Sequence, residues 1–285
     1  MPDILIKNWT DLLDHLYEGS WRPEISRFRS PFVFRGLSDA AYPLVTSLMR
    51  LGGHYAQMEP HLLRNFRKYA HRSFVERDTN WHWLSLAQHH GLPTRLLDWT
   101  VSPLIAAHFA TASTEKYNVD GVIWMVNARQ VHKILPGKLK TELDHEGADF
   151  FTVEMLARAV PNLSDLDALS PPCFVAFFEP PSIDERIINQ YALFSVMPDP
   201  TAAMDDWLEE HPDLWRRLII PAAIKWEIRD KLDQANITER VLFPGLDGLG
   251  QWQKRYYTPR SSTPSEAGVE DDQARNPVEQ QEKEE

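Results

Sequence analysis

Seven side chains in this sequence have types and spacing that could do chemistry: Arg35, then Gln88, His89, Thr94, Arg95, Asp98 and Ser102. The last six crowd into residues 88–102 among leucines and a tryptophan, so polar groups enter apolar company where each must find a hydrogen-bond partner. A guanidinium drawn out of water calls for a carboxylate or a ligand anion, because its planar fork matches both. Arg95 and Asp98 are close enough in sequence to pair across a loop, and Asp98 is also the natural partner for Arg35. Two readings stay open for each residue. Arg35 is a core ion pair with Asp98 or the anchor of an anion; His89 is a satisfied core imidazole or an acid–base group; Gln190, further along, is a backbone-capping amide or a ligand contact.

Other chemistries find little support. His89 and His90 are adjacent and expected to point apart, and there is one cysteine, Cys173, so no metal site is expected. The sequence has no glycine-rich phosphate loop of Walker or dinucleotide spacing and no Gly-x-Ser-x-Gly elbow.

The elements that must position these residues are legible in outline. Trp9, Leu12, Leu13 and Leu16 recur at helical spacing, with Asn8 as cap and Gly19 as stop. Phe32-Val-Phe-Arg35 reads as a short strand delivering Arg35 at its end. Helical spacing returns over residues 57–74, and Asn80 caps a helix over 81–90 that carries Gln88 and both histidines. Gly91-Leu92-Pro93 ends that helix and Ser102-Pro103 starts the next, so the central stretch reads as helix, polar loop, helix. Trp99 and Phe109 are expected core anchors on either side of that start. Gly121–Val126 is an apolar run of strand length, buried on both faces. Short strands are expected again at 174–178, 191–196 and 218–220, with helices between. The fold class is α+β, a central mixed sheet of short strands flanked by helices.

Phe34-Arg35-Gly36, followed by Gln88-His-x-Gly-x-Pro-Thr-Arg-Leu-Leu-Asp-Trp-Thr100, resembles the FRG domain, a family named for its Phe-Arg-Gly tripeptide. Thr238 to Gly250 resembles the closing segment of that family, so the resemblance covers roughly residues 8–250. The order of Arg35, a hydroxyl-bearing middle motif and the Arg186–Phe194 segment also looks like ADP-ribosyltransferases, which implies a fold of that kind and NAD as substrate. In that chemistry Arg35, with Gly36, Thr94, Arg95 and Ser102, would hold the nucleotide, while Arg35, His89, Asp98 and Gln190 would serve catalysis. The pattern expects a glutamate where Gln190 stands, which leaves Asp98, Glu179 or Glu185 to supply negative charge. The alternative is a non-catalytic binding or regulatory module.

Composition sets the outer limits. Of the net charge of −11, about −5 belongs to residues 259–285, which are polar, acidic and expected to form a disordered tail beyond a domain over 1–258. The acidic body offers no overall basic field for nucleic acid, and Arg64, Arg67, Lys68 and Arg72 read as a solvated helix face. No run approaches the ~18 apolar residues that span a bilayer, no export signal is evident, and the expected location is the cytoplasm. The expected partners are a nucleotide-type small molecule and a protein target of modification.

Overall fold

The computed structural model describes residues 3–70 and 77–259. Ten strands are formed among these: β1 (Ile4–Leu5), β2 (Trp21–Arg22), β3 (Arg27–Phe28), β4 (Phe32–Leu37), β5 (Leu97–Thr100), β6 (Gly121–Asn127), β7 (Phe151–Thr152), β8 (Ala176–Glu179), β9 (Ala192–Val196) and β10 (Trp215–Ile220). Eight of them make one sheet in the order β1-β10-β6-β4-β5-β9-β8-β7, while β2 and β3 pair separately. Only β1 with β10 and β7 with β8 run parallel, so the sheet is mixed and the fold is α+β.

The centre of the sheet follows from its sequence pattern. Val122, Trp124 and Val126 of β6 enter one hydrophobic cluster and Ile123 and Met125 enter another, so the unbroken apolar run is buried on both faces. The helices Trp9–Tyr17, Pro103–Thr111 and Lys225–Gln234 cover the Ile123 side, where Leu12, Leu16, Ala106, Ala110 and Ile228 pack with Phe34. The opening helix is capped by the Asn8 side chain on the Asp11 amide. Thr79, rather than Asn80, caps the helix Asn80–His89.

Three expectations are corrected. The stretch between the helices Asn80–His89 and Pro103–Thr111 is not all loop, because Leu97–Thr100 forms β5 in the middle of the sheet. Its alternation is that of a strand: Leu97 and Trp99 are buried on one face, while Asp98 and Thr100 point to the other. Arg35 does not close its strand, since β4 continues through Gly36 and Leu37, opposite Ile123 and Val122. The helix over Tyr55–Tyr69 ends before residue 74, and residues 71–74 lie outside the described residues, as does the expected tail except Pro259.

Gly36 is where strand and helix meet most closely. A Cβ there would lie 1.8 Å from the Ala106 carbonyl oxygen and 2.7 Å from the Ala110 nitrogen, so only glycine lets the helix Pro103–Thr111 sit on β4. That contact sets the height of the helix above the sheet, and with it the space at the neighbouring split between β4 and β5.

Candidate functional site

β4 and β5 pair at one position, Phe34 opposite Thr100, and no further register pair follows. A cavity of about 260 Å³ opens there, lined by Arg35, Gly36, Gln88, His89, Asp98 and Gln190, with Phe34, Trp99, Phe109 and Phe194 supplying aromatic wall and Arg186 completing it. Sequence-distant residues thus meet because the sheet sets β4, β5 and β9 side by side.

Arg35 fills the split. Its Nη1 donates to the backbone carbonyl of Asp98, its Nε is buried without a partner, and the nearest Asp98 carboxylate oxygen is 4.0 Å away. Burial lowers the guanidinium pKa from its ordinary value, the Asp98 charge opposes that, and Arg50 adds to it. The group stays cationic and only partly satisfied, which suits it to an anion.

Asp98 is the exposed carboxylate of the cavity, with 63% of its side chain open to solvent. Gln88 Nε2 donates to both of its oxygens at 3.0 Å, and Gln88 Oε1 in turn accepts from the Thr94 hydroxyl at 2.5 Å. The Leu96 amide donates to Thr94 Oγ1, which leaves the hydroxyl proton for Gln88 and so fixes which end of the amide faces Asp98. Thr94 itself is buried behind the site and held by Ser47.

His89 lies at another wall, its Nε2 2.6 Å from the Asp184 carboxylate, which also caps the helix Glu185–Asn189. Burial pushes the imidazole pKa down against the pull of Asp184, with Arg186 and His90 adding to the fall. Asp184 is itself partly desolvated, which raises its pKa, but the Ile187 amide and His89 bring it net below the usual carboxylate range. The pair at neutral pH is therefore a neutral imidazole donating to a carboxylate, which leaves Nδ1 as a proton acceptor. The His89 and His90 rings do not point apart but meet edge to face, 5.1 Å between centres. Among the described residues no group of three or more His, Cys, Asp or Glu could hold a metal ion.

Gln190 lines the cavity while its Nε2 donates to the Leu242 carbonyl, and its own backbone carbonyl accepts from Thr100. Neither Glu179 nor Glu185 lines the cavity, so Asp98 is its only carboxylate among the described residues.

Besides Thr94, two further residues named from sequence to hold the nucleotide, Arg95 and Ser102, do not line the cavity. Arg95 does not pair with Asp98: it is buried on the Glu59 carboxylate, with Asp167 and the Pro198 carbonyl completing its bonds. Alternation along the chain explains this, since Leu97 and Asp98 have already entered β5 and turn to opposite faces. Ser102 stands at the N-cap of its helix with no side-chain capping bond and does not line the cavity. Phe109, expected in the core, is half-buried and forms cavity wall; Trp99 is core, its Nε1 donating to Ser195, with one edge at the cavity.

Sequence reasoning missed Arg186, Asp184 and Glu59. Asp184 carried the signal of an N-cap, and Glu59 stood in helical phase with Leu63 and Phe66 on an apolar face, where a carboxylate needs a cation. Nothing local marked Arg186, which is exposed and lies over the Phe243 ring at 5.0 Å.

Residues 30–119 match the family model of the FRG domain. The match is shorter than residues 8–250, and the far wall of the cavity, from Arg186 to Phe194, lies beyond it. No curated protein and no solved structure matches the chain. Among the described residues no helix is long and apolar enough to cross a membrane.

Proposed function

Because the chain carries an FRG domain whose matched segment delivers Arg35, Gln88, His89 and Asp98 to one cavity, we propose that the protein binds NAD or a closely related nucleotide there and transfers or hydrolyses its ADP-ribose. The observation that carries this reading is the juxtaposition of a partly satisfied guanidinium with an exposed carboxylate held rigidly by Gln88, between aromatic walls.

Each group has a role it can perform. Arg35 binds a phosphate oxygen through the part of its fork not given to the Asp98 carbonyl. Asp98 accepts from a ribose hydroxyl and faces positive charge as it develops at the anomeric carbon. The N-glycosidic bond breaks with its electron pair leaving on nicotinamide. A hydroxyl of water or of a protein target then forms the new C–O bond, and its proton passes to His89 Nδ1. Gln190 supports the site through Leu242, leaving its amide oxygen for a hydroxyl.

A second reading has its own support. With Gln190 committed to a backbone carbonyl, one carboxylate serves the cavity, and a module that binds a nucleotide without cleaving it fits that geometry. Calorimetric titration with NAD, together with assay of nicotinamide release, separates the two. Binding with release supports transfer or hydrolysis, binding without release supports the module, and no heat at millimolar NAD overturns both.

A further inference from the structure

Phe109 is shared by two cavities. One face of its surroundings is the site already described, and the other is a second cavity of about 240 Å³ lined by Thr114, Phe243, Gln251 and Lys254. The ring of Phe109, which lines both cavities, meets Phe243 of the second cavity edge to face at 6.3 Å. Arg186 lies over Phe243 at 5.0 Å and also lines the first cavity, so a cation stands at the junction. Arg186 makes no salt bridge among the described residues, in contrast to the buried Arg255 nearby, which is held by Glu239 and Asp233.

From this arrangement we infer that the ligand has two ring-bearing units joined by an anionic linker, the first in the Arg35 cavity, the linker reaching from Arg35 to Arg186 and the second unit in the cavity beyond Phe109. The inference rests on the nucleotide reading of the first cavity. Each cavity alone falls below the range of about 300–1,000 Å³ typical of small-molecule sites, and together they lie within it. The second cavity has the chemistry for a flat nitrogen heterocycle: aromatic edges and faces from Phe109 and Phe243, hydrogen-bonding groups from Thr114 and Gln251, the paired charges of Glu239 and Arg255 in its wall, and a positive charge from Lys254 at its exposed side. The helix Leu246–Tyr256 that carries Gln251 and Lys254 is tied to its neighbours through Arg255, so this wall is built before any ligand arrives.

The test compares NAD with nicotinamide mononucleotide, which has the first unit without the second, on the full chain. Gln251→Trp places bulk in the second cavity from an exposed helix position, and Ala112→Trp does so from the end of the helix Pro103–Thr111. The expected result is NAD affinity weakened by about tenfold or more in either variant, with the mononucleotide unchanged. Unchanged NAD affinity, or an equal fall for both ligands, overturns the inference. Adenosine monophosphate is titrated separately into wild-type protein while backbone amide resonances are followed. Shifts at Thr114, Gln251 and Lys254 support the second cavity even where the first fails to bind nicotinamide, and their absence overturns it.

Discussion

Arg35 reaches Asp98 through its backbone and not through its carboxylate. The guanidinium donates to the Asp98 carbonyl, while the carboxylate stands 4.0 Å off and is held by Gln88. The side chain of Asp98 is thus free to meet a ligand without loosening the strand contact that Arg35 makes.

Asp98→Asn is therefore expected to fold normally, with stability within about 1 kcal/mol of wild type, because an exposed charge 4.0 Å from its partner contributes little. The same variant is expected to lose nicotinamide release. Chemical denaturation and an NAD cleavage assay on the same preparation check both halves. Arg35→Lys, which cannot reproduce the fork, should weaken NAD binding by more than Gln190→Ala does.

Arg95 behaves in the opposite way. Glu59→Gln leaves a buried guanidinium with only the half-exposed Asp167 as counter-charge, and a loss of about 3 kcal/mol is expected in urea unfolding. Nucleotide affinity measured well below the melting temperature should stay at the wild-type value. A change in affinity larger than the change in stability would place Arg95 in the site after all.

Gly36 and Phe109 distinguish packing from binding. Gly36→Ala drives a methyl into the Ala106 carbonyl and is expected to cost more than about 3 kcal/mol, since backbone on both sides must move. Phe109→Ala, at a half-buried cavity wall, should fall short of the loss of about 3–5 kcal/mol for a buried aromatic, which Trp99→Ala should show. Thermal melts of the three variants rank them.

Stability should fall as pH drops below neutrality. Burial holds His108, beside Arg229, at a pKa of about 3, and burial lowers His132 to about 4. Both are depressed from 6.5, so on acidification the unfolded chain takes up protons near pH 6.5 that the folded protein refuses. Each histidine then removes about 1.4 kcal/mol per pH unit between pH 6 and its folded pKa. Urea unfolding at pH 7, 6 and 5 reads the slope; a flat profile would mean that these imidazoles titrate in the folded protein as they do in the unfolded chain.

What the sequence determined by itself was set by local constraints. Periodicity alone marks the opening helix and the doubly buried strand β6, because a 3.6-residue stripe and an unbroken apolar run have few other ways to be buried. The clustering of Gln88, His89 and Asp98 was legible because they are neighbours in the chain, and the need of Arg35 and Arg95 for anions follows from their type. Which anion each received was decided by tertiary structure. Glu59 and Asp167 lie 36 and 72 residues from Arg95, and helix phase rather than proximity in the chain turns Glu59 inward. Strand β5 was hidden for a related reason: four residues carry too little alternation to announce a strand, and only β4 and β9 on either side give their backbone groups partners. The far wall of the cavity, with Arg186 and Gln190, exists because β9 pairs with β5 and brings the preceding helix to its edge, a pairing between segments nearly a hundred residues apart that no local pattern encodes.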